Sequence, residues 1–409
     1  MTATLTFVDP TAADSVRDRR DSRHALRRFN SKNSSIPRVA GCGLCTPGND
    51  VAIRVSKAGN RLVAGASGLI TCSSVWSCPV CSAKISTERS QVVADAIRRW
   101  NSTGGRVLFA TFTLRHNSSQ DLATVWDGLA DSWRHFLGGK GWKDLRNQFS
   151  LDGWIRAVEV THGANGWHVH AHTAVFVSGT DTTPAFLDRL SDALYHRWEL
   201  ATNANGFSTT RDAFDCRATF SDSGLARYLV KSSNVHNTAR ELTHGTSKTA
   251  RKTSRTPFAI LADLAATKSF DCRCSISLNT DGSIRYRKTC DACLWRHWEK
   301  NSHGRRQISF STGFRAIIDN IELPETTDSD EILTDSMVVL LIDPSSWRRL
   351  AETDAPVRLY RNLECHRLDL ALELLSNFQA LYRPGPDLHA YRTIPAQHPL
   401  PLLSTLTPA

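Results

Sequence analysis

Residues 167–177, WHVHAHTAVFV, constrain the fold more than any other stretch of the chain. Histidines at 168, 170 and 172 alternate with Val169 and Ala171. In a strand, side chains alternate between faces, so His168, His170 and His172 stand in a row on one side of a sheet. A second β-rich run covers residues 154–161, and Gly163, Asn165 and Gly166 mark a short turn between the two. Glu159 is the single carboxylate between Trp154 and Val177, and a hairpin can bring it beside the histidine row. Two imidazoles and a carboxylate leave coordination positions open, which suits a divalent ion that must also bind substrate oxygens. The plain alternative is a solvated histidine face on an edge strand.

The flanking periodicity supplies the rest of a domain. Ile85, Val92, Val93, Ala96, Ile97 and Trp100 fit a helix over 85–100, and RVLFATFTLRH at 106–116 reads as a strand after the Gly104-Gly105 break. Leu122, Val125, Trp126, Leu129, Trp133 and Phe136 share one face of a helix at 120–138. A helix at 183–202, a strand at 207–217 and a short helix at 222–233 follow. The order β-α-β-β-α-β predicts an α+β fold of the split βαβ (ferredoxin-like) kind, an antiparallel sheet with helices packed on one face. Helical signal resumes over 344–382. Residues 1–38 are Arg-rich without apolar periodicity and are expected to be disordered, and the Pro-rich tail, 384–409, to be loose.

Eight of the eleven cysteines fall into short-spaced pairs. Cys42-x2-Cys45 and Cys78-x2-Cys81 lie 32 residues apart, and Cys272-x-Cys274 and Cys290-x2-Cys293 lie 15 apart. Each set can supply four sulfurs to a structural Zn²⁺, because a close pair fixes two ligands and the second pair closes the tetrahedron. Cys72 competes for a place in the first set. The alternative for both is buried free thiols, the reading given to Cys216 and Cys365.

Charge narrows the partners. The net charge is +10, and it is concentrated: six Lys/Arg against one acid over 231–256 and seven against two over 285–306, while 319–335 holds seven acids and no base. Separate basic blocks favour a polyanion, and in a cytoplasmic protein that means nucleic acid. The longest apolar run, residues 337–342, is far short of the roughly 20 residues of a spanning helix, so no membrane partner is expected. The first thirty residues lack the apolar block of a secretory signal, and a cytoplasmic location is expected.

Downstream, SDSGLARYLVK at 221–231 places Tyr228 and Lys231 three residues apart, on one face of a helix. A phenol beside a cation and a metal-bound phosphate can act as a nucleophile, although a half-buried Tyr with a surface Lys is the commoner origin of such a pair. GWHVHAHTAVFV, the downstream YLVK, the upstream FATFTLRH and the VWSCPVCSAKI segment, in this order, resemble the rolling-circle replication initiators (Rep proteins) of bacterial plasmids, members of the HUH endonuclease superfamily. The resemblance runs from about Cys42 to about Leu264.

It implies a metal-dependent endonuclease that nicks and rejoins origin DNA through a 5′-phosphotyrosine. His170, His172 and Glu159 would hold Mg²⁺ or Mn²⁺, with His168 one position ahead of the pair. Tyr228 would be the nucleophile and Lys231 its basic companion, while Thr111 and Thr113 would build the central strand. One branch of the family carries a Glu four residues before the tyrosine to terminate the cycle; Gly224 stands there in this chain, with Asp222 nearby. Origin DNA, single-stranded or extruded, is the implied partner, and a host helicase and replisome are expected from the family. The oligomeric state stays open.

Arg240, Lys248, Arg251, Lys252 and Arg255, in a Ser/Thr-rich loop after the tyrosine helix, are candidates to track phosphates. Trp295 and Trp298 read as core rather than as base-stacking platforms. The expected organisation is therefore a basic arm (1–38), a zinc-binding segment (39–84), the nuclease domain (85–268), a second zinc-binding segment (269–309), a helical region (310–383) and the tail. An HUH relaxase or single-tyrosine transposase shares the same chemistry, and a non-enzymatic zinc-ribbon DNA-binding regulator is the alternative from another class.

Overall fold

The computed structural model describes residues 10–58, 61–179, 183–218, 254–272, 274–278, 284–288, 290–320 and 336–394. The chain forms two compact units, one from Met1–Ser73 with Thr327–Ala409, the other from Ser74–Thr326. The segment expected as the first zinc-binding region is thus divided at Ser73.

The first unit opens with helix α1 (Pro10–Ser31) and the short α2 (Pro37–Ala40). The expectation of a disordered arm is corrected here. The arm's cations are tied to a distant residue, which local periodicity cannot reveal: Arg17 and Arg20 both pair with Glu364, whose side chain is only 2% exposed. Glu364 Oε1 also accepts the Ala64 backbone N–H at 2.9 Å, so two arginines neutralise one buried carboxylate and an amide shares its hydrogen bonding. The hairpin of β1 (Val51–Ala58) and β2 (Arg61–Ser67) follows.

The second unit begins with α3 (Pro79–Ser102), which starts at Pro79, six residues ahead of the expected helix, because Pro is accommodated in a first turn where its missing N–H is not needed. Strand β3 (Arg106–Thr113), α4 (Leu122–Phe136) and α5 (Gly139–Phe149) come next. Asp121 caps α4 by accepting the Thr124 N–H at 2.7 Å. Strands β4 (Leu151–Gly163) and β5 (Gly166–Val177) form the expected hairpin. Gly166 sits at φ +82°, and a Cβ there would lie 3.1 Å from the Ser118 Cα, so the turn requires glycine. Helix α6 (Pro184–Ala204) leads through a short 3₁₀ turn to β6 (Asp215–Ala218); that turn, Arg211–Ala213, leaves only the last part of the strand expected at 207–217. The short helix expected at 222–233 lies outside the described residues.

After α7 (Pro257–Thr267) the unit continues through the two-stranded ribbon of β7 (Ser275–Leu278) and β8 (Ile284–Lys288), α8 (Asp291–Ser302), β9 (Ile308–Phe310) and α9 (Phe314–Asp319). The chain then returns to the first unit with β10 (Met337–Ile342), α10 (Pro344–Ala351), α11 (Ala355–Glu364), α12 (Leu368–Asn377), β11 (Tyr382–Pro384) and α13 (Leu388–Arg392). Its sheet has the order β11-β10-β1-β2, and the apolar run that constitutes β10 pairs antiparallel with β1. Val51, Ile53 and Val55 of β1 and Ile342 of β10 are fully buried with Trp347, Leu363 and Leu375 from the C-terminal helices. Among the described residues no helix is long and apolar enough to cross a membrane.

The five-stranded sheet of the second unit has the order β6-β3-β5-β4-β9, every neighbouring pair antiparallel. Its first four members are the split βαβ arrangement expected from the element order, with β9 added at the edge. Helices α4 and α6 cover one face, where Phe112 of β3 packs edge-on against Trp133, Phe136 and Trp198. The other face was expected to be bare of helices and is not. Val93, Ile97 and Trp100 of α3 and Phe314 of α9 pack on Val107, Phe109 and Phe176, covering one end of it. The histidines lie beyond that apolar cover, on the same face.

Candidate metal centre

Register decides the geometry of the site. Glu159 of β4 is directly opposite His170 of β5, which is opposite Thr113 of β3; the neighbouring row is Ala157, His172 and Thr111. Directly paired residues share a face, so the two histidines and the carboxylate project together. Glu159 Oε2 lies 3.0 Å from His172 Nε2 and 3.6 Å from His170 Nε2, and the two Nε2 atoms are 3.1 Å apart. Glu159 is only 7% exposed. Three convergent donors with little water around them form a candidate divalent-ion site.

The side chains behind the donors fix their direction. Thr111 Oγ1 is 3.1 Å from His172 Nδ1, leaving Nε2 to face the carboxylate, and the Phe109 ring stacks on the same imidazole with centroids 5.3 Å apart. A hydrogen bond at the far nitrogen is the usual way a metal-binding imidazole is oriented. In the sequence, the strand motif containing Thr111 and Thr113 reads mainly as scaffold; the cross-strand register, invisible in a single segment, shows the second use of Thr111. Thr113 Oγ1 donates instead to the Ala213 carbonyl at 2.8 Å.

His168 is in the row but not in the cluster. Its Nδ1 meets His116 Nε2 at 2.9 Å. Burial, with the charges of His170 and His116 adding to it, pushes the His168 pKa down to about 3, and burial lowers that of His116 as well. Both are therefore neutral imidazoles near pH 7, one donating to the other. His116 closes the FATFTLRH motif, so the residue is visible in the sequence while its partner is not.

Of the sulfur sets, the second is assembled as the spacing implies. Cys272 to Cys293 is 3.4 Å, Cys274 to Cys290 3.5 Å, Cys274 to Cys293 3.6 Å and Cys290 to Cys272 3.9 Å between Sγ atoms. A tetrahedron with metal–sulfur bonds of about 2.3 Å has edges of about 3.8 Å, so the four sulfurs can hold a zinc ion. The Cys290 N–H donates to Cys274 Sγ at 3.4 Å, and burial and the neighbouring sulfurs push the Cys293 thiol up.

The first set differs from expectation. Gly43 N–H donates to the Ile70 carbonyl and Ile70 N–H to that of Cys45, so the segment after β2 returns alongside residues 43–45. This return brings Cys72 to Cys42, its N–H donating to Cys42 Sγ at 3.4 Å, while Cys45 is exposed. Within the first unit, the partner of Cys42 is Cys72 and not Cys45. Cys78 and Cys81, in the second unit, are both buried at the start of α3.

Tyr228, Lys231, Arg240, Lys248, Arg251 and Lys252 lie outside the described residues, as do Asp222 and Gly224. Arg255 is described, and it is not the free cation expected of a phosphate contact. Its guanidinium binds Asp291 through two hydrogen bonds of 2.6 and 2.8 Å and Asp263 through one of 2.7 Å, and its backbone bridges to His162. These carboxylates hold the group charged and occupied. Trp295 and Trp298 are fully buried, in keeping with the core reading. Cys216, expected to be buried, is a half-buried thiol whose pKa burial raises to about 12, and Cys365, also expected to be buried, is exposed at the C-terminus of α11.

The antiparallel split βαβ sheet carries a His-x-His and a facing Glu, and the segment that bears them is similar to known replication proteins. Residues 68–183, which contain the whole Glu159/His170/His172 cluster, match the family model described as Replication protein. The chain is 26% identical over 352 residues to Protein rep of Streptomyces lividans, covering 69% of this chain and 73% of that protein. It is 32% identical over 147 residues to a protein of Streptomyces cyanogenus called Neomycin resistance protein, covering 29% of this chain and 34% of that one. No solved structure matches. The resemblance to rolling-circle plasmid Rep proteins, carried in the sequence by motif order, is upheld.

Proposed function

We propose that this chain is a plasmid replication initiator that nicks and rejoins origin DNA. The observation that carries the reading is the convergence of Glu159, His170 and His172 on one face of the sheet, within a segment matching replication proteins. The donor set, one carboxylate and two imidazoles, suits Mg²⁺ or Mn²⁺ with positions left for phosphate oxygens. A bound ion would supply Lewis-acid stabilisation of charge developing on the scissile phosphate.

The chain's own residues account for the remaining requirements. Thr111 and the Phe109 ring hold the His172 imidazole in one orientation, so its Nε2 is committed to the site. The neutral His116–His168 pair adds no positive charge beside the cluster at pH 7. The phenol of Tyr228 loses its proton and attacks phosphorus; the O–P bond forms, the bond to the 3′ oxygen breaks, and that oxygen leaves as a free 3′-OH. Lys231 favours the phenolate by its charge. Rejoining runs these bond changes in reverse. The Cys272/Cys274/Cys290/Cys293 set holds a structural Zn²⁺, and Arg240, Lys248, Arg251 and Lys252 contact strand phosphates.

Covalent capture tests the reading. Wild type and Tyr228→Phe are incubated with single-stranded origin DNA and Mn²⁺, then run on a denaturing gel. The expected result is a labelled adduct in wild type, lost in Tyr228→Phe and with chelator. Zinc-dependent DNA binding with neither adduct nor cleavage would replace the enzyme reading with that of a zinc-ribbon DNA-binding regulator.

A further inference from the structure

The face of the sheet that carries no histidines contains a cavity of about 220 Å³ between β4, β5, α4, α5 and the segment after β9. Its walls are aromatic: Phe112, Trp133, Phe136, Trp142 and Trp154 all line it. Trp142 and Trp154 are half-buried, Trp142 lying 5.2 Å from the Phe136 ring and Trp154 5.1 Å from that of Trp133.

Three of the lining residues each have a buried polar atom with no hydrogen-bond partner among the described residues: Trp133 Nε1, Asp152 Oδ2 and Thr173 Oγ1. They are respectively a donor, an acceptor and a hydroxyl that is both. Buried polar atoms are ordinarily satisfied, because an unpaired one is destabilising, and three around one cavity call for a common explanation. Aromatic walls combined with a donor and an acceptor match a flat heteroaromatic ring with hydrogen-bonding edges. The volume falls below the roughly 300–1,000 Å³ of drug-sized pockets, so it suits a single ring system and not a whole nucleotide.

Charge at the rim extends the match. Helix α5 presents exposed Lys140, Lys143 and Arg146; the two lysines make no ion pair among the described residues, and Arg146, which lines the cavity, donates to the Leu151 carbonyl at 3.0 Å. We infer that this cavity takes up one unstacked base of a single-stranded DNA, with the neighbouring phosphates on Lys140, Lys143 and Arg146. The inference rests on the reading that the chain handles single-stranded DNA. It adds a site on the face opposite Glu159, His170 and His172.

The test is photocrosslinking of the full chain to a single-stranded origin oligonucleotide carrying 5-iododeoxyuridine at one position at a time. The expected result is a crosslink, from one or two adjacent positions only, to a peptide containing Trp142 or Trp154. Trp142→Ala should weaken binding of the same strand about tenfold, the scale of one lost base–aromatic stack, and Trp142→Phe should restore most of it. Circular dichroism checks that both variants are folded, and Lys143→Ala, on an exposed helix face, supplies a second variant expected to reduce affinity if Trp142→Ala does not fold. Crosslinks confined to other peptides, with strand affinity unchanged in Trp142→Ala and Lys143→Ala, would overturn the inference. Competition by free deoxyadenosine without any strand crosslink would also overturn it, making the cavity a small-molecule pocket. Crosslinking needs neither divalent ion nor cleavage, so failure to form the Tyr228 adduct leaves this result readable by itself.

Discussion

The two faces of the five-stranded sheet are built from alternate residues of the same strands, and they are suited to opposite tasks. On one, Glu159, His170 and His172 bring nitrogen and oxygen donors to within 4.8 Å of one another. On the other, Phe112 and its aromatic neighbours bury Trp198 completely, and its indole N–H donates to the Thr113 carbonyl at 2.7 Å. The comparison teaches that the donor cluster depends on packing to which it contributes little itself. A row of imidazoles and a carboxylate does little to hold a sheet together, so the packing that keeps β3, β4 and β5 in register comes from the aromatic side and from the apolar cover of α3 and α9 at one end of the histidine face.

The comparison can be broken most forcefully from the aromatic side. Trp198→Ala removes a fully buried ring and should destabilise the second unit by about 3–5 kcal/mol, measured by denaturant unfolding. Nicking by the protein that remains folded should change little; a specific loss of turnover at unchanged folded fraction would show that the two faces are not separable in this way. Glu159→Gln makes the converse change. It should lower nicking about a hundredfold or more, by removing the anionic ligand, while shifting the unfolding midpoint little. Retained cleavage at wild-type rate would remove Glu159 from the metal centre. The smallest and most discriminating change is Thr111→Val, which keeps the strand but deletes the hydroxyl facing His172 Nδ1. An outer hydrogen bond of this type is worth about 10–100-fold in metal affinity, so the Mn²⁺ concentration for half-maximal nicking should rise while the rate at saturating Mn²⁺ is largely recovered. An unchanged Mn²⁺ dependence would reduce Thr111 to a scaffold role.

How much of the molecule is legible in the sequence follows the range of the interactions involved. The hairpin, the face shared by His168, His170 and His172, and the approach of Glu159 are consequences of a two-residue period and a short turn, so residues 154–177 suffice. The ring face of α4 and the close sulfur pairs are equally local. The tie of Arg17 and Arg20 to Glu364 spans most of the chain, and for that reason α1 reads locally as a disordered arm. Helix α5 leaves little trace in the periodicity because it is short and mostly polar, with Leu145 and Phe149 its only buried residues.

By itself, then, the sequence determined which residues alternate, which faces are apolar, and in what order the strands and helices follow. Only the tertiary structure decided the partners: Thr111 for His172, His116 for His168, Cys72 in place of Cys45 beside Cys42, and Asp263 and Asp291 for an arginine that local composition assigns to DNA. The physical reason is that periodicity is a property of neighbouring backbone torsions, whereas register and pairing are chosen by the total burial and hydrogen bonding of segments distant in the chain.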